Sequence, residues 1–446
     1  MVNWRNTRHL TPADSAAPIR FDGSEVLADL PVTPPVARAT YADADDLFLT
    51  WTWDHQPDEP RMVVLPRTEI TPALRRLRYA LPSPLPQETG QQALERALTH
   101  GELVDPAREQ QLAHALTAAV IPFRLGLELN ALEARGVRPH LRVQPSPSIA
   151  HLPWELIGTS EQQRAVDMLD FSTLLPASLR NSTGRQVAEW DTGGPVVTVL
   201  DPYVPGSEHA PGLASVLGQI TADSPLASMV AGLGDRVRPL TPDPLHVFRR
   251  TDRNRDRIVA ELDDASRLLY VGHVTRSSHA LDARMHLCDD ARSSGHATVV
   301  DGHRPYTAAD IVLGHQPERP VPPRVPNRVA LIACESGTDL RFAEPTGLAA
   351  AFAYRGAEYV TATRWTLPTD AGLRRFVPEL GDRAYGILAE AIAAVNAAHE
   401  SPDPVRALNA WQRERAQLWT RTGDARHTPL IWASFHTFWA PPPPTM

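Results

Sequence analysis

Three short apolar runs in this sequence each end in a residue able to do chemistry. VVTVLDP (196–202), RLLYVGH (267–273) and RVALIACESG (328–337) deliver Asp201, His273 and Cys334 to the ends of what read as buried strands. In an open parallel sheet, ligand sites gather at the carboxyl ends of the strands, so these three groups would share one edge. If the second and third strands are neighbours, the thiol and the imidazole face each other across a cleft. A thiolate beside an imidazolium has a depressed pKa and is a strong nucleophile near neutral pH. Residue types alone leave a plainer reading open. A cysteine at a strand end is commonly a small buried hydrophobe, and a lone histidine is commonly structural or on the surface.

The segments around these runs predict the frame that would hold them. Leu47, Leu49, Trp51 and Trp53 alternate with less apolar residues as in a half-buried strand, and Arg61 to Leu65 reads as its hairpin partner across DHQPDEP. Residues 1–100 are expected to form a β-rich appendage and linker, 101–440 the main domain, and 441–446 a Pro-rich tail. Leu112, Leu116, Ala119 and Val120 share a helical face, and a strand is expected around Leu141–Val143. Further helices are expected over 253–262, from a Thr307/Asp310 capping box, over 346–355 closed by Gly356, and through Tyr385, Leu388, Ile392 and Val395. Strands are expected at 357–365 and in PLIWASFHTFW. Alternation of strand and helix of this kind predicts an α/β sandwich with a mostly parallel central sheet. No fixed-period repeat is present.

Composition narrows the chemistry further. The 446 residues are 42% hydrophobic and carry a formal charge of −8, which argues against general affinity for nucleic acid. All basic residues are arginines, so Schiff-base and P-loop lysine mechanisms are excluded. No apolar run reaches the length of a membrane span, the N-terminal stretch lacks the apolar core of a signal peptide, and two cysteines suit a reducing compartment; the expectation is a cytoplasmic protein. His279, His286, His296, His303 and His315 cluster with Cys288, but the spacing is poor for zinc, and the segment reads as a solvated insertion with no metal. RRTDRNRDR (249–257) reads as an exposed charged face.

The stretch from RLLYVGH to ACESG resembles the CHAT domain, a branch of the caspase-like cysteine peptidases related to separase. LPWELI (152–157) is similar to that family's PWELL segment, and VVTVLDP to its early strand. EPTGLAAAFAYRGAEYVTATRW (344–365) resembles its GLA-x-AF-x-x-GA block, and HTPLIWASFHTFW (427–439) its closing segment. These likenesses run in order from about 105 to 439. Histidine before cysteine by roughly 50 residues is also the caspase order.

The resemblance implies a caspase-like fold and a cysteine endopeptidase without cofactor, acting on a protein substrate. His273 would be the general base and acid, and Cys334 the nucleophile. Backbone N–H groups of Cys334 and Val274 would form the oxyanion hole, with valine standing where the family usually has glycine. Glu335 matches the glutamate of the cysteine motif. Glu335, Trp365, Asp370 and Asp201 are the candidates for lining a substrate pocket. Trp365 is followed by TLPTD, so Pro368 and Thr369 stand where acidic residues are usual and Asp370 could substitute. Bacterial relatives are often effectors released by a sensor, which implies a separate regulatory partner. The rival reading is a CHAT fold without activity, serving as a scaffold or interaction module.

Overall fold

The computed structural model describes residues 22–160, 163–208, 211–275, 280–318, 320–333, 347–365 and 367–442. The chain divides into two compact units, one running to Leu174 and including Asn409–Pro429, the other comprising Leu175–Leu408 and the chain from Leu430 onward.

The first unit carries strands β1 (Val36–Asp43), β2 (Leu47–Trp53), β3 (Arg61–Leu65), β4 (His140–Gln144) and β5 (Asp170–Thr173). The expected hairpin is present, with Leu47 opposite Leu65 and Trp51 opposite Arg61. β1 lies antiparallel to β2 and parallel to β4, Val36 pairing with His140, so the hairpin shares a sheet with the strand expected near Leu141. Alternation in β2 turns Leu47, Leu49, Trp51 and Trp53 inward. Both indole N–H groups donate to buried Glu128 at 2.8 Å, and Arg61 Nε donates to the same carboxylate at 3.0 Å. Each polar tip on this inward face therefore meets a partner, as burial requires. The helix Pro106–Val120 starts at Asp105, whose carboxylate accepts from the Arg108 N–H at 2.9 Å.

The second unit holds β6 (Val196–Leu200), β7 (Val237–Arg238), β8 (Arg267–Gly272), β12 (Arg328–Ala333), β13 (Tyr359–Thr363) and β14 (Phe435–Trp439), with β9 (Val274–Thr275), β10 (Arg284–Met285) and β11 (Tyr306–Thr307) in a separate small antiparallel sheet. The order is β14-β13-β12-β8-β6-β7, parallel throughout except for β14. The three apolar runs are thus β6, β8 and β12, side by side, and the expected α/β architecture with a mostly parallel sheet is what the chain adopts. β6 and β8 are buried along their whole length, which is why they read as continuous apolar runs and not as alternating ones. The Thr307/Asp310 capping box forms in full: Thr307 Oγ1 accepts from the Asp310 N–H at 3.2 Å, and Asp310 Oδ2 from the Thr307 N–H at 2.7 Å. Among the described residues no single helix is long and apolar enough to cross a membrane.

Two readings of charge are corrected. The histidine-rich segment is solvated only in part: residues 290–302 are largely exposed and His279 lies outside the described residues, but His286 and His303 are buried, joined Nδ1 to Nε2 at 2.8 Å, and Met285 and Leu287 belong to the core. Nor is 249–257 an exposed face throughout. Arg253 and Arg255 are each 1% exposed, the first paired with Glu261 at 2.6 Å and the second with Asp289 at 2.9 Å. Charge density predicts a wet surface only where the charges lack partners inside.

Candidate active site

β12 and β8 run in parallel register, Leu331 opposite Tyr270, Ile332 opposite Val271 and Ala333 opposite Gly272. β6 continues the set, Leu200 pairing with Val271. In sequence, the next residues are Asp201 after β6, His273 after β8 and Cys334 after β12. Cys334 and Glu335 lie outside the described residues, as does the rest of 334–346. Asp201 and His273 are both described, at the carboxyl ends of adjacent strands.

His273 is held at both its backbone and its ring. Its carbonyl accepts from the Tyr270 hydroxyl at 2.7 Å and from the His286 N–H at 3.1 Å. Gly272 permits this arrangement. A Cβ there would lie 2.7 Å from the Tyr270 hydroxyl oxygen and 3.3 Å from Pro202 Cδ, so no side chain fits between strand and loop. The ring nitrogen Nε2 lies 2.5 Å from the Ala214 carbonyl oxygen. A carbonyl can only accept, so Nε2 carries the proton and Nδ1 is the basic nitrogen of the neutral ring. Burial pushes the His273 pKa below the ordinary imidazole value; the Ala214 carbonyl and the Asp201 charge oppose that, and Arg249 adds to it. The neutral, proton-accepting form is therefore favoured at physiological pH.

Asp201, expected in a substrate pocket, is 2% exposed. Its carboxylate accepts from the Ser215 hydroxyl, from the Val216 N–H at 3.1 Å and from the Leu217 N–H at 3.4 Å, and pairs with Arg249 Nη1 at 3.4 Å. These contacts fold the loop that presents the Ala214 carbonyl. Sequence reasoning missed that loop, because GLASVLG carries neither a period nor a motif.

Val274 sits in β9 opposite Met285, with its side chain in the core. Extended backbone and an apolar environment are what a β-branched residue favours, which accounts for valine at this position. Trp365 is 0% exposed and its indole N–H donates to the Leu430 carbonyl at 3.0 Å; the ring is a core element and presents no surface to a pocket. Asp370 opens the helix Asp370–Phe376, and its carboxylate accepts from the Gly386 N–H at 2.7 Å and the Leu388 N–H at 2.9 Å. Both oxygens thus hold the start of the helix Ile387–Glu400. Burial raises the Asp370 pKa while these two N–H groups lower it.

The other thiol is a poor competitor. Cys288 donates to the Arg250 carbonyl at 3.1 Å, and burial pushes its pKa up to about 11. A thiol two pH units above the ordinary value of 9.0 exposes about 100-fold less thiolate at neutral pH. Iodoacetamide at pH 7.5 is expected to leave Cys288 unmodified in the folded protein and to modify it in 6 M guanidinium, as read by peptide mass spectrometry. Rapid modification of Cys288 in the folded protein would contradict this. Among the described residues no group of three or more His, Cys, Asp or Glu side chains is placed to hold a metal.

Crystal structures of the Saccharomyces cerevisiae separase–securin complex at 2.6 and 3.0 Å are structurally similar, each with a TM-score of 0.43 and with identities of 11% and 10%. The similarity covers 91% of this chain and 30% of separase, so the chain spans under a third of that protein's length. No curated protein matches the sequence. The CHAT domain matches residues 110–439, which include β6, β8 and β12 and the residues next in sequence, Asp201, His273 and Cys334, and the chain belongs to the CHAT domain family.

Proposed function

We propose that this chain is a cysteine endopeptidase whose nucleophile is Cys334 and whose base is His273, with residues 101–440 as the peptidase domain. The observation that carries the reading is the register of β8 and β12: Ala333 opposite Gly272, with His273 and Cys334 next in sequence. The thiolate attacks the scissile carbonyl, a C–S bond forms, and the C–N bond breaks as imidazolium protonates the leaving amine. Water, deprotonated by the same imidazole, then releases the acyl group. The N–H groups of Val274 and Cys334 are the proposed oxyanion donors.

Asp370 is engaged as a helix cap, which supports an apolar P1 residue over a basic one, and Glu335 remains the acidic candidate for the pocket. The protein acts in the cytoplasm as a bacterial effector held in check by a separate protein partner. Biotinylated peptidyl acyloxymethyl ketones varied at P1 test this on the full chain. Labelling is expected to be lost in Cys334→Ala, retained in Cys288→Ala, and stronger with leucine than with arginine at P1. Labelling that persists in Cys334→Ala overturns the assignment, and a wild type that no probe labels points to a CHAT-fold interaction module.

A further inference from the structure

We propose that Asp201 is a positioning residue for His273: its carboxylate folds the 214–218 loop, whose Ala214 carbonyl holds the imidazole by Nε2 and leaves Nδ1 as the base. This rests on reading His273 as the base of the dyad. The chain of contacts is continuous. β6 ends at Leu200, and Asp201 takes a left-handed conformation, φ 52°, which turns the chain out of the sheet. Only Gly, Asn and Asp adopt that conformation readily. The turn directs the carboxylate at Ser215, Val216 and Leu217, while Ser215 Oγ in turn accepts from the Gly218 N–H at 2.9 Å. Every donor of this short irregular loop that reaches Asp201 points at one carboxylate, and the carbonyl just ahead of them points at His273.

The charges around the ring are few and of opposite effect. Asp201 favours imidazolium from the end of β6, and Arg249, whose N–H bonds the Leu200 carbonyl, disfavours it, while His286 faces His273 from the β10 side. Asp201 therefore has two roles at once, one geometric through the loop and one electrostatic. The substitution Asp201→Asn would keep the left-handed turn and the size of the side chain. The new amide nitrogen, however, would face a backbone N–H now bonded to an oxygen, and the charge would be gone.

The test is the histidine side-chain 15N spectrum of the full chain, with the His273 signals assigned by their loss in His273→Gln. Wild type is expected to show His273 as the single Nε2–H tautomer. Asp201→Asn is expected to mix the two tautomers and to move the His273 titration to lower pH, and turnover of a peptide identified with the probes above to fall about 10- to 100-fold in kcat with KM little changed. Arg249→Met is expected to keep the single tautomer and move the titration the opposite way. Should Asp201→Asn fail to fold, Ser215→Ala removes one loop contact and is expected to mix the tautomers as well. An Asp201→Asn or Ser215→Ala protein that keeps the wild-type tautomer overturns the proposal. If the tautomers respond as stated while no probe labels Cys334, the positioning stands and the peptidase reading fails.

Discussion

Replacing Arg255 with leucine is expected to destabilise the second unit by roughly 3–5 kcal/mol, the cost of removing one partner from a buried ion pair. Arg255 is the centre of the segment that the charged sequence disguises. Its Nε donates to Asp289 at 2.9 Å and its own backbone N–H to the same carboxylate at 3.1 Å. Nη1 donates to the Ser294 carbonyl at 2.5 Å, and Nη2 to the carbonyls of Arg304 at 2.5 Å and Pro305 at 3.1 Å. Asp310, the capping residue of the next helix, lies 3.7 Å away, and the guanidinium sits 5.6 Å from the Tyr306 ring centre. Gly295 allows the approach, since a Cβ there would fall 1.9 Å from Nη1. Leucine fills much of the volume but takes the charged donor from the buried Asp289 carboxylate, which keeps only neutral N–H and O–H partners, and removes the guanidinium donors from the carbonyls of Ser294, Arg304 and Pro305.

Burial already raises the Asp289 pKa, and Arg255 is the largest influence holding it down. Without Arg255 that pKa rises further, so the deficit of the variant shrinks as the pH falls and Asp289 becomes neutral. Equilibrium unfolding in urea at pH 7.5 and pH 5 measures both effects. Arg255→Leu combined with Asp289→Leu is expected to recover part of the loss, because no lone charge is left inside. A single variant within 1 kcal/mol of wild type would refute the argument. The consequence reaches the candidate site, since β10 pairs with Tyr306 beside this cluster and is followed by His286, whose N–H holds the His273 carbonyl.

What the sequence makes legible follows from what kind of force sets each feature. β6 and β8 are buried on both faces, as is β12 from Arg328 to Ile332, so burial leaves largely apolar runs, and their polar terminations are readable as the functional edge. The Thr307/Asp310 box is local chemistry over four residues and is equally readable. Trp365 and Asp370 read as pocket residues from their place in a motif. One instead fills the core and the other caps a helix sixteen residues on, choices made by tertiary packing. Arg255, Asp289, His286 and His303 are polar in sequence and buried in the fold, where each pairs with a partner distant along the chain. Pairing across such separations leaves no period in the sequence. The same reason hides the 214–218 loop, whose order comes from a carboxylate fourteen residues earlier.

In a Cys288→Ala background, alkylation of Cys334 by iodoacetamide at pH 6.5 is expected to be about 100-fold slower once His273 is replaced by alanine. The reasoning starts from the ring and not from the thiol. Burial makes isolated imidazolium unfavourable at this site, so His273 is neutral unless a negative charge comes beside it. On the proposed dyad a thiolate at Cys334 supplies that charge, and the two protons would titrate as a pair, with thiolate–imidazolium populated well below the pKa of a free thiol. In wild type the alkylation rate should thus reach a plateau by near-neutral pH. In His273→Ala the thiol has no partner and its rate should follow a single titration near about 8.5, which leaves about 1% thiolate at pH 6.5. The Ala214 contact adds a condition on the result. It fixes Nε2 as the proton-bearing nitrogen, so only Nδ1 can take the thiol proton, and His273→Gln, which supplies hydrogen bonds but no base, should behave as alanine does. Equal pH profiles in wild type and His273→Ala would show that the two strand ends hold no dyad, whatever the fold around them.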